Sequence, residues 1–202
     1  MSYRPDAGNL TGGFADPVFD SNSVFRTLLK ATAYAGREFH VHPPVAVPSP
    51  LNTSTAGLCL SLVDSETPVW LDEKSAEKQP LLTWLRFNCG APIVQDARSA
   101  RFAVVLESGH LPRLDSFGCG STDYPDLSTT LVVQVPSLVD GSLTTWSGPG
   151  IRGCTRVGIA GLPDWFWSDW KLNTELYPMG VDVFFTNGNA VVSLPRTIRV
   201  ES

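Results

Sequence analysis

The 202-residue chain lacks most of the short motifs by which catalytic sites are recognised in a sequence. It has no GxxxxGK[ST] loop, no GxGxxG that opens a helix after a strand, and no GxSxG turn for a serine nucleophile. Its four cysteines form no CxxC pair, which disfavours a zinc knuckle or a redox dithiol and favours free buried thiols. The sequence therefore predicts no complete catalytic site, and the catalytic residues stay unknown.

Basic side chains are also scarce, with 15 lysines and arginines against 20 acidic residues and a net charge of -5. They form no basic run, so binding to a nucleic-acid backbone is not expected. Eleven of them are arginines, whose planar guanidinium suits fixed pairing with carboxylates, phosphates or a partner protein. His40 and His42 have strand spacing and could chelate a metal, but a strand face that ends at the following prolines is the simpler interpretation, and no metal site is predicted.

Long apolar runs and a basic, apolar leader are missing, so we expect no membrane span, no secretory signal and a cytoplasmic protein. The composition, 43% hydrophobic and 17% charged, suits a folded core. No linker, repeat or low-complexity tract divides the chain. We expect a flexible N-terminal segment over residues 1–15 and a single α/β domain over residues 16–202.

Apolar spacing and turn residues predict the following elements in the first half of the chain. A helix over residues 24–34 is capped by Asp20 or Ser23, and a strand follows at 39–42. Asn52 caps a short helix that runs to Leu62. Strands at 67–71 and 102–106 flank a helix that begins at Pro80.

In the second half, strands at 131–135 and 143–146 are predicted to form a hairpin across Asp140-Gly141. A helix at 163–176 precedes a hairpin of strands 181–185 and 190–194 that turns on Asn187-Gly188. This order predicts a mixed sheet covered on both faces, a three-layer α/β/α arrangement. The aromatic cluster of residues 165–170 fits either a helix buried on two sides within the domain or a partner interface.

Two glycine pairs, Gly118–Gly120 and Gly148–Gly150, could present backbone N–H groups to an anion, but tight turns are the simpler interpretation. Lys74 lies in an acidic, polar run and is expected to be solvated, as is Lys78. Neither therefore suits a Schiff base, which needs a desolvated amine.

Six segments in order resemble one known family: FRTLLKATAYAG (25–36), TPVWL (67–71), LRFNCGAP (85–92), TLVVQV (130–135), GPGI (148–151) and YPMGVDVFFTNGNAVVSLPRTIRVE (177–201). Together they span nearly the whole chain and resemble the H-subunit (PhnH) family of the bacterial carbon-phosphorus lyase core complex. The resemblance implies a three-layer domain similar to the large domain of pyridoxal-phosphate (PLP) dependent transferases, in a family that uses no PLP. No cofactor is expected.

The resemblance implies an accessory subunit that is needed to convert an alkylphosphonate and ATP into α-D-ribose 1-alkylphosphonate 5-triphosphate, with release of adenine. It implies assembly with subunits G, I and J, direct contact with J, functional dependence on L and K, and a homodimer in isolation. An independent transferase that binds a phosphate or phosphonate ligand, with an active site shared at a subunit interface, is the alternative function.

Eight residues in the recognisable motifs are the candidates for substrate binding or for an interface: Arg86, Asn88, Gly148, Gly150, Gly180, Asp182, Arg196 and Thr197. Arg86 and Arg196 could form a two-arginine site for a phosphonate or a triphosphate. They could instead be structural partners of Asp182 or Glu201. The family resemblance assigns no catalytic residue.

Overall fold

The computed structural model describes residues 12–42, 47–77 and 79–201, so most of the predicted flexible segment lies outside the described residues. The helices are α1 (Pro17–Ala33), α2 (Thr53–Leu62), α3 (Glu73–Ala76), α4 (Gln79–Cys89) and α5 (Phe166–Glu175). The strands are β1 (Phe39–His40), β2 (Val69–Leu71), β3 (Ile93–Val94), β4 (Phe102–Val105), β5 (Thr130–Gln134), β6 (Thr144–Ser147), β7 (Thr155–Val157), β8 (Asp182–Asn187), β9 (Ala190–Leu194) and β10 (Arg199–Glu201). Four short 3-10 helices lie in the loops around residues 97–127.

The strands form a seven-stranded sheet in the order β1-β9-β8-β5-β4-β2-β3 and a three-stranded sheet in the order β10-β6-β7. Strands β3, β2, β4, β5 and β8 are mutually parallel, whereas β9 is antiparallel to β8 and β1 is antiparallel to β9. The small sheet is antiparallel throughout. The predicted mixed α/β class is confirmed.

Two hydrophobic cores cover the two faces of the large sheet, because alternate strand residues point to opposite sides. Val104, Val132 and Phe184 pack with α1, α2 and α4 on one face. On the other face Val105, Val133 and Phe185 pack with α5 and with the small sheet. The second covering layer is therefore a helix joined to a small sheet.

The predicted hairpin of residues 131–135 and 143–146 is wrong. Strand β5 pairs in parallel with β4 and β8, and β6 belongs to the small sheet. The reason is burial: four consecutive residues of β5 are buried, as expected for a central strand covered on both faces, whereas β6 alternates buried and half-buried positions. The second hairpin, β8 with β9, is confirmed, with Gly188 and Asn189 as its turn residues.

Helix α1 begins seven residues before the predicted start, and its cap is Asp16. Asp16 Oδ1 accepts hydrogen bonds from the backbone N–H of Val18 (3.2 Å) and of Phe19 (3.1 Å), and Pro17 occupies the first helical turn. Asp20 instead accepts from the N–H of Asp16 (2.9 Å). The sequence pattern missed this turn because Val18 and Phe19 are about three-quarters exposed and belong to no buried face.

The aromatic cluster is largely internal. Phe166 and Trp170 are fully buried, Trp167 packs edge-on against Trp146 with ring centroids 6.2 Å apart, and Trp165 lies under the guanidinium of Arg113. Burial of this helix on more than one side accounts for the run of aromatics. No helix among the described residues is long and apolar enough to cross a membrane.

All four thiols are free, but only Cys59 and Cys89 are buried, so the prediction of buried thiols is wrong for exposed Cys154 and half-buried Cys119. Burial, with a smaller contribution from the nearby Cys89, raises the pKa of Cys59 well above its usual value. Burial also raises the pKa of Cys89 to about 12. Both thiols are therefore held neutral in the folded protein.

The free energy of unfolding should consequently fall at alkaline pH. The unfolded thiols lose their protons near their usual pKa of 9.0, so this stabilisation is complete below that pH and is lost as the pH rises toward 12. The expected loss is about 1.4 kcal/mol per pH unit for each thiol. Urea unfolding of the wild type and of Cys59→Ala/Cys89→Ala between pH 9 and 10.5 measures it. Equal slopes for the two proteins would contradict the prediction, and Cys154→Ala should keep the wild-type slope.

Candidate functional site

The parallel strands β2, β4, β5 and β8 end at one edge of the large sheet. The connection that follows β2 runs through α4 on the first face, whereas the connection that follows β4 packs Leu111, Leu114 and Phe117 on the second face. The chain thus leaves neighbouring strands in opposite directions. The crevice outside the carboxyl ends at such a point is where open α/β sheets bind their ligands.

A cavity of about 400 Å³ lies at this point and is lined by Trp70, Asp72, Lys74, His110 and Pro112. Lys74 Nζ is 2.9 Å from His110 Nε2. On the other side of the ring, His110 Nδ1 is 3.4 Å from Glu107 Oε2. The cavity is therefore lined by a lysine and a histidine in contact, with an aromatic ring beside them, and Glu107 lies behind the histidine.

Asp72 fixes the backbone under this cavity. Its buried carboxylate accepts hydrogen bonds from the Ser75 N–H (3.1 Å) and hydroxyl, and from the Leu106 N–H (3.5 Å) at the end of β4. One side chain thereby joins the start of α3 to the carboxyl end of β4. This link sets the position of Lys74 relative to the loop that carries His110.

A second cavity of about 420 Å³ is lined by Glu107 and lies over the ends of β4, β5 and β8. Its amide side chains bind backbone. Gln134 Oε1 accepts from the Asn52 N–H (2.7 Å), and Gln134 Nε2 donates to the Pro50 carbonyl (3.0 Å). Asn187 Nδ2 donates to the carbonyls of Val135 (2.8 Å) and Pro136 (3.0 Å). These groups hold loops in place.

Arg196 and Asp182 lie at the opposite edge of the sheet, where β8 begins and β9 has ended. The Arg196 guanidinium forms an ion pair with the Asp182 carboxylate, with Nε 3.1 Å from Oδ2 and a contact from one terminal nitrogen. The remaining N–H groups donate to the carbonyls of Pro125 (2.9 Å) and Pro178 (3.3 Å) and to the Ser128 hydroxyl (2.5 Å). All five guanidinium N–H groups therefore have acceptors within the protein.

Arg86 does not take part in this network. It is exposed in the last turn of α4, and the structure does not bring it next to Arg196. Asn88, two residues later, donates to the Trp84 carbonyl (3.1 Å). The structure thus contains the alternative that the sequence offered, an Arg196–Asp182 pair, and no two-arginine arrangement.

The candidate glycines lie where two backbones approach closely. Gly148 and Gly150 belong to the connection between the antiparallel strands β6 and β7, and a Cβ at Gly150 would lie 2.0 Å from the Ala33 carbonyl oxygen at the end of α1. A Cβ at Gly148 would lie 3.0 Å from the carbonyl oxygen of exposed Thr197. The tight-turn interpretation therefore accounts for this pair.

Gly180 supports the loop before β8 in the same way. Its backbone has a φ of +113°, and a Cβ there would lie 2.8 Å from Asn173 Oδ1. The Asn173 amide binds both the N–H (2.8 Å) and the carbonyl (3.0 Å) of Val181. The Gly180 N–H donates to the Cys119 carbonyl (2.8 Å), so the loop of Gly118 and Gly120 also serves local structure.

Sequence reasoning missed Lys74, His110, Glu107 and Trp70. Lys74 is exposed, in agreement with the prediction that it is solvated, but its ammonium contacts the ring of His110, which lies 36 residues later in the sequence. One signal was present in the sequence. Trp70 lies in the predicted strand 67–71 and Lys74 follows it, whereas Glu107 and His110 follow the predicted strand 102–106. Polar residues just after two neighbouring parallel strands meet at one edge of the sheet.

Comparison with known proteins agrees with the motifs. The family model described as "Bacterial phosphonate metabolism protein (PhnH)" matches residues 12–201. The "Alpha-D-ribose 1-methylphosphonate 5-triphosphate synthase subunit PhnH" of Rhizobium meliloti (strain 1021) is 38% identical over 191 residues, which are 95% of each chain. The "Putative C-P lyase subunit protein HtxG" of Stutzerimonas stutzeri is 30% identical over 84 residues, 40% of this chain and 42% of that protein. The chain therefore belongs to the PhnH family of bacterial phosphonate metabolism proteins.

Proposed function

We propose that the chain is the H-type accessory subunit of a carbon-phosphorus lyase core complex in the cytoplasm. In this role it is required to convert an alkylphosphonate and ATP into α-D-ribose 1-alkylphosphonate 5-triphosphate and adenine. The observation that carries the proposal is the 95% coverage, at 38% identity, of a relative that is named as a subunit of such a synthase. Arg196 and Asp182 both belong to the motif at residues 177–201, and they form an ion pair with each other. This pair supports a structural role for the motif.

The proposed partners are subunits G, I and J, with direct contact to J and functional dependence on L and K, and a second copy of the chain when it is isolated. Exposed apolar side chains support a protein that buries surface against partners. On α1, Val18, Phe19 and Leu29 are more than half exposed. Among the candidate site residues, exposed Arg86 and Thr197 are proposed to contact a partner or a ligand.

The similarity of the fold to the large domain of PLP-dependent transferases is also a proposal. A mostly parallel seven-stranded sheet with helices on one face and α5 on the other supports similarity to the large domain of PLP-dependent transferases. Superposition of an experimental structure on such a domain tests it. The proposal fails if the strand order and directions of the shared sheet do not correspond.

Affinity purification tests the assembly. The tagged chain, co-expressed with subunits G, I and J, is expected to retain all three, and co-expression with J alone is expected to retain J. Co-expression with I alone, without J, is the matched control and should retain nothing. If J is never retained while the tagged chain is folded, the accessory role is contradicted.

The Lys74–His110 cavity favours the second candidate function, an independent transferase for a phosphate or phosphonate ligand. The purified chain alone, incubated with MgATP and methylphosphonate, separates the two functions. The accessory role predicts no adenine in this mixture and adenine release once the other subunits are added. Adenine release by the chain alone would establish the transferase instead.

A further inference from the structure

We propose that the cavity at the carboxyl ends of β2 and β4 is a binding site for a phosphoryl oxyanion, a phosphonate or a phosphate, with Lys74 as its contact residue and His110 as its positioning residue. The inference deepens the proposed function, on which the choice of a phosphoryl ligand rests. It would give the accessory subunit a part in holding substrate that neither the motifs nor the relatives' names assign.

The Lys74–His110 contact defines which atoms are available to a ligand. An ammonium group has three N–H donors and no acceptor, so the 2.9 Å contact requires an unprotonated Nε2 on His110. The imidazole proton is then on Nδ1, which is buried, lies 3.4 Å from Glu107 Oε2 and forms no hydrogen bond with the residues that the structure describes. Lys74 Nζ has no second hydrogen-bond partner among the side chains that the structure describes, which leaves two N–H groups on a residue that lines the cavity.

A phosphoryl oxyanion fits these donors better than the other common ligand classes. A metal cation would face an ammonium, and the described residues contain no group of three or more histidine, cysteine, aspartate or glutamate side chains that could hold one. The Asp72 carboxylate also lines the cavity, but its oxygens accept hydrogen bonds from Ser75 and from the Leu106 N–H. An anion with several oxygens can accept from both free N–H groups at once through charge-assisted hydrogen bonds.

The walls of the cavity suit a small substituent on that anion. Trp70 is half-buried and is held edge-on by Phe117, with ring centroids 5.6 Å apart, and Pro112 lies at the same cavity. These groups provide apolar surface next to the ammonium. A volume of about 400 Å³ lies within the ordinary range of small-molecule sites.

His110 acts through Lys74 in this arrangement. The ring accepts one ammonium hydrogen and thereby directs the other two, while the Glu107 carboxylate lies 3.4 Å from the opposite ring nitrogen. A glutamine at position 110 can accept the same hydrogen through its amide oxygen, whereas a leucine of similar size cannot. His110→Gln is therefore expected to retain binding and His110→Leu to lose it.

Titration calorimetry on the full-length chain at low ionic strength tests the site with three probes: methylphosphonate, inorganic triphosphate and MgATP. If only methylphosphonate binds, the ligand of the site is the phosphonate substrate. If only triphosphate and MgATP bind, the ligand is the nucleotide. Lys74→Met is expected to weaken whichever probe binds by about tenfold to a hundredfold, the range for a lost charged hydrogen bond. Lys171→Met, which removes an exposed lysine of α5, is the matched control and should bind like the wild type.

Three results would overturn the inference: no binding of any probe to the wild-type chain, binding unchanged in Lys74→Met, or equal weakening in Lys171→Met, which would indicate general charge attraction. Thermal melting accompanies each variant and should stay at the wild-type value, because Lys74 is exposed. A chain that retains its partner subunits but binds no probe contradicts this site alone. A chain that binds a probe but retains no partner contradicts only the accessory role.

Discussion

Replacing Arg196 by methionine is expected to lower the free energy of unfolding by about 3 kcal/mol, the lower end of the cost of breaking a buried ion pair. The Arg196 side chain is 13% exposed and that of Asp182 is 30% exposed, so the carboxylate left behind gains only part of its hydration. The substitution also removes the donors for Pro125, Pro178 and Ser128. Urea unfolding at neutral pH measures the change.

Arg86→Met is the matched control for this experiment. Arg86 is exposed in the last turn of α4, where a positive charge stabilises a helix by only about 0.3–1 kcal/mol. The same chemical change should therefore cost less than about 1 kcal/mol at position 86. Similar losses at the two positions would contradict the structural role of the Arg196–Asp182 pair.

Activity of the assembled complex separates a structural arginine from one that binds substrate. If Arg196 serves only the fold, Arg196→Met should support wild-type adenine release at a temperature well below its reduced melting temperature. Adding Asp182→Asn should then cost less than it does in the wild-type background, because the two side chains interact directly. Lost activity in a variant that melts like the wild type would overturn the structural interpretation.

Features that depend on neighbouring residues were predictable from the sequence. Asn52 caps α2 as expected, since its Oδ1 accepts from the Thr55 N–H at 2.8 Å. The β8–β9 hairpin also forms, because Gly188, with a φ of +55°, suits a tight turn between two apolar runs, although the turn is Gly188-Asn189 and lies one residue after the predicted Asn187-Gly188. In both cases the signal lies within a few residues of the structure that it predicts.

Features that depend on distant partners were not predictable in this way. Strand β5 finds its neighbours 28 residues before it, in β4, and 52 residues after it, in β8. Its short apolar run carries no information on the pairing partner or on the strand direction, so the sequence favours the nearest strand, and the predicted hairpin is wrong. The Lys74–His110 contact has the same origin, because only the parallel pairing of β2 with β4 brings those residues together.

Gly150→Ala is expected to destabilise the protein by at least about 3 kcal/mol. Gly150 has a φ of +81°, and a left-handed backbone alone costs an L-residue about 1–2 kcal/mol. The added Cβ would also lie 2.0 Å from the Ala33 carbonyl oxygen, which is backbone and cannot rotate away. Either α1, which packs in the first core, or the β6–β7 connection, whose Ile151 packs against the second core, must move.

Gly153→Ala provides the control that isolates the clash. Gly153 lies three residues later in the same connection, with a φ of +76°, and no described atom lies within 4 Å of a Cβ built there. Its substitution carries only the backbone cost of about 1–2 kcal/mol, so the difference between the two variants in urea unfolding measures the overlap with Ala33. Equal losses would mean that the connection does not rest on the end of α1. If the loss is larger at Gly150 and both folded variants still retain the partner subunits, Gly150 serves the fold. Ligand binding is then expected only at the opposite edge of the sheet, in the cavity of Lys74 and His110.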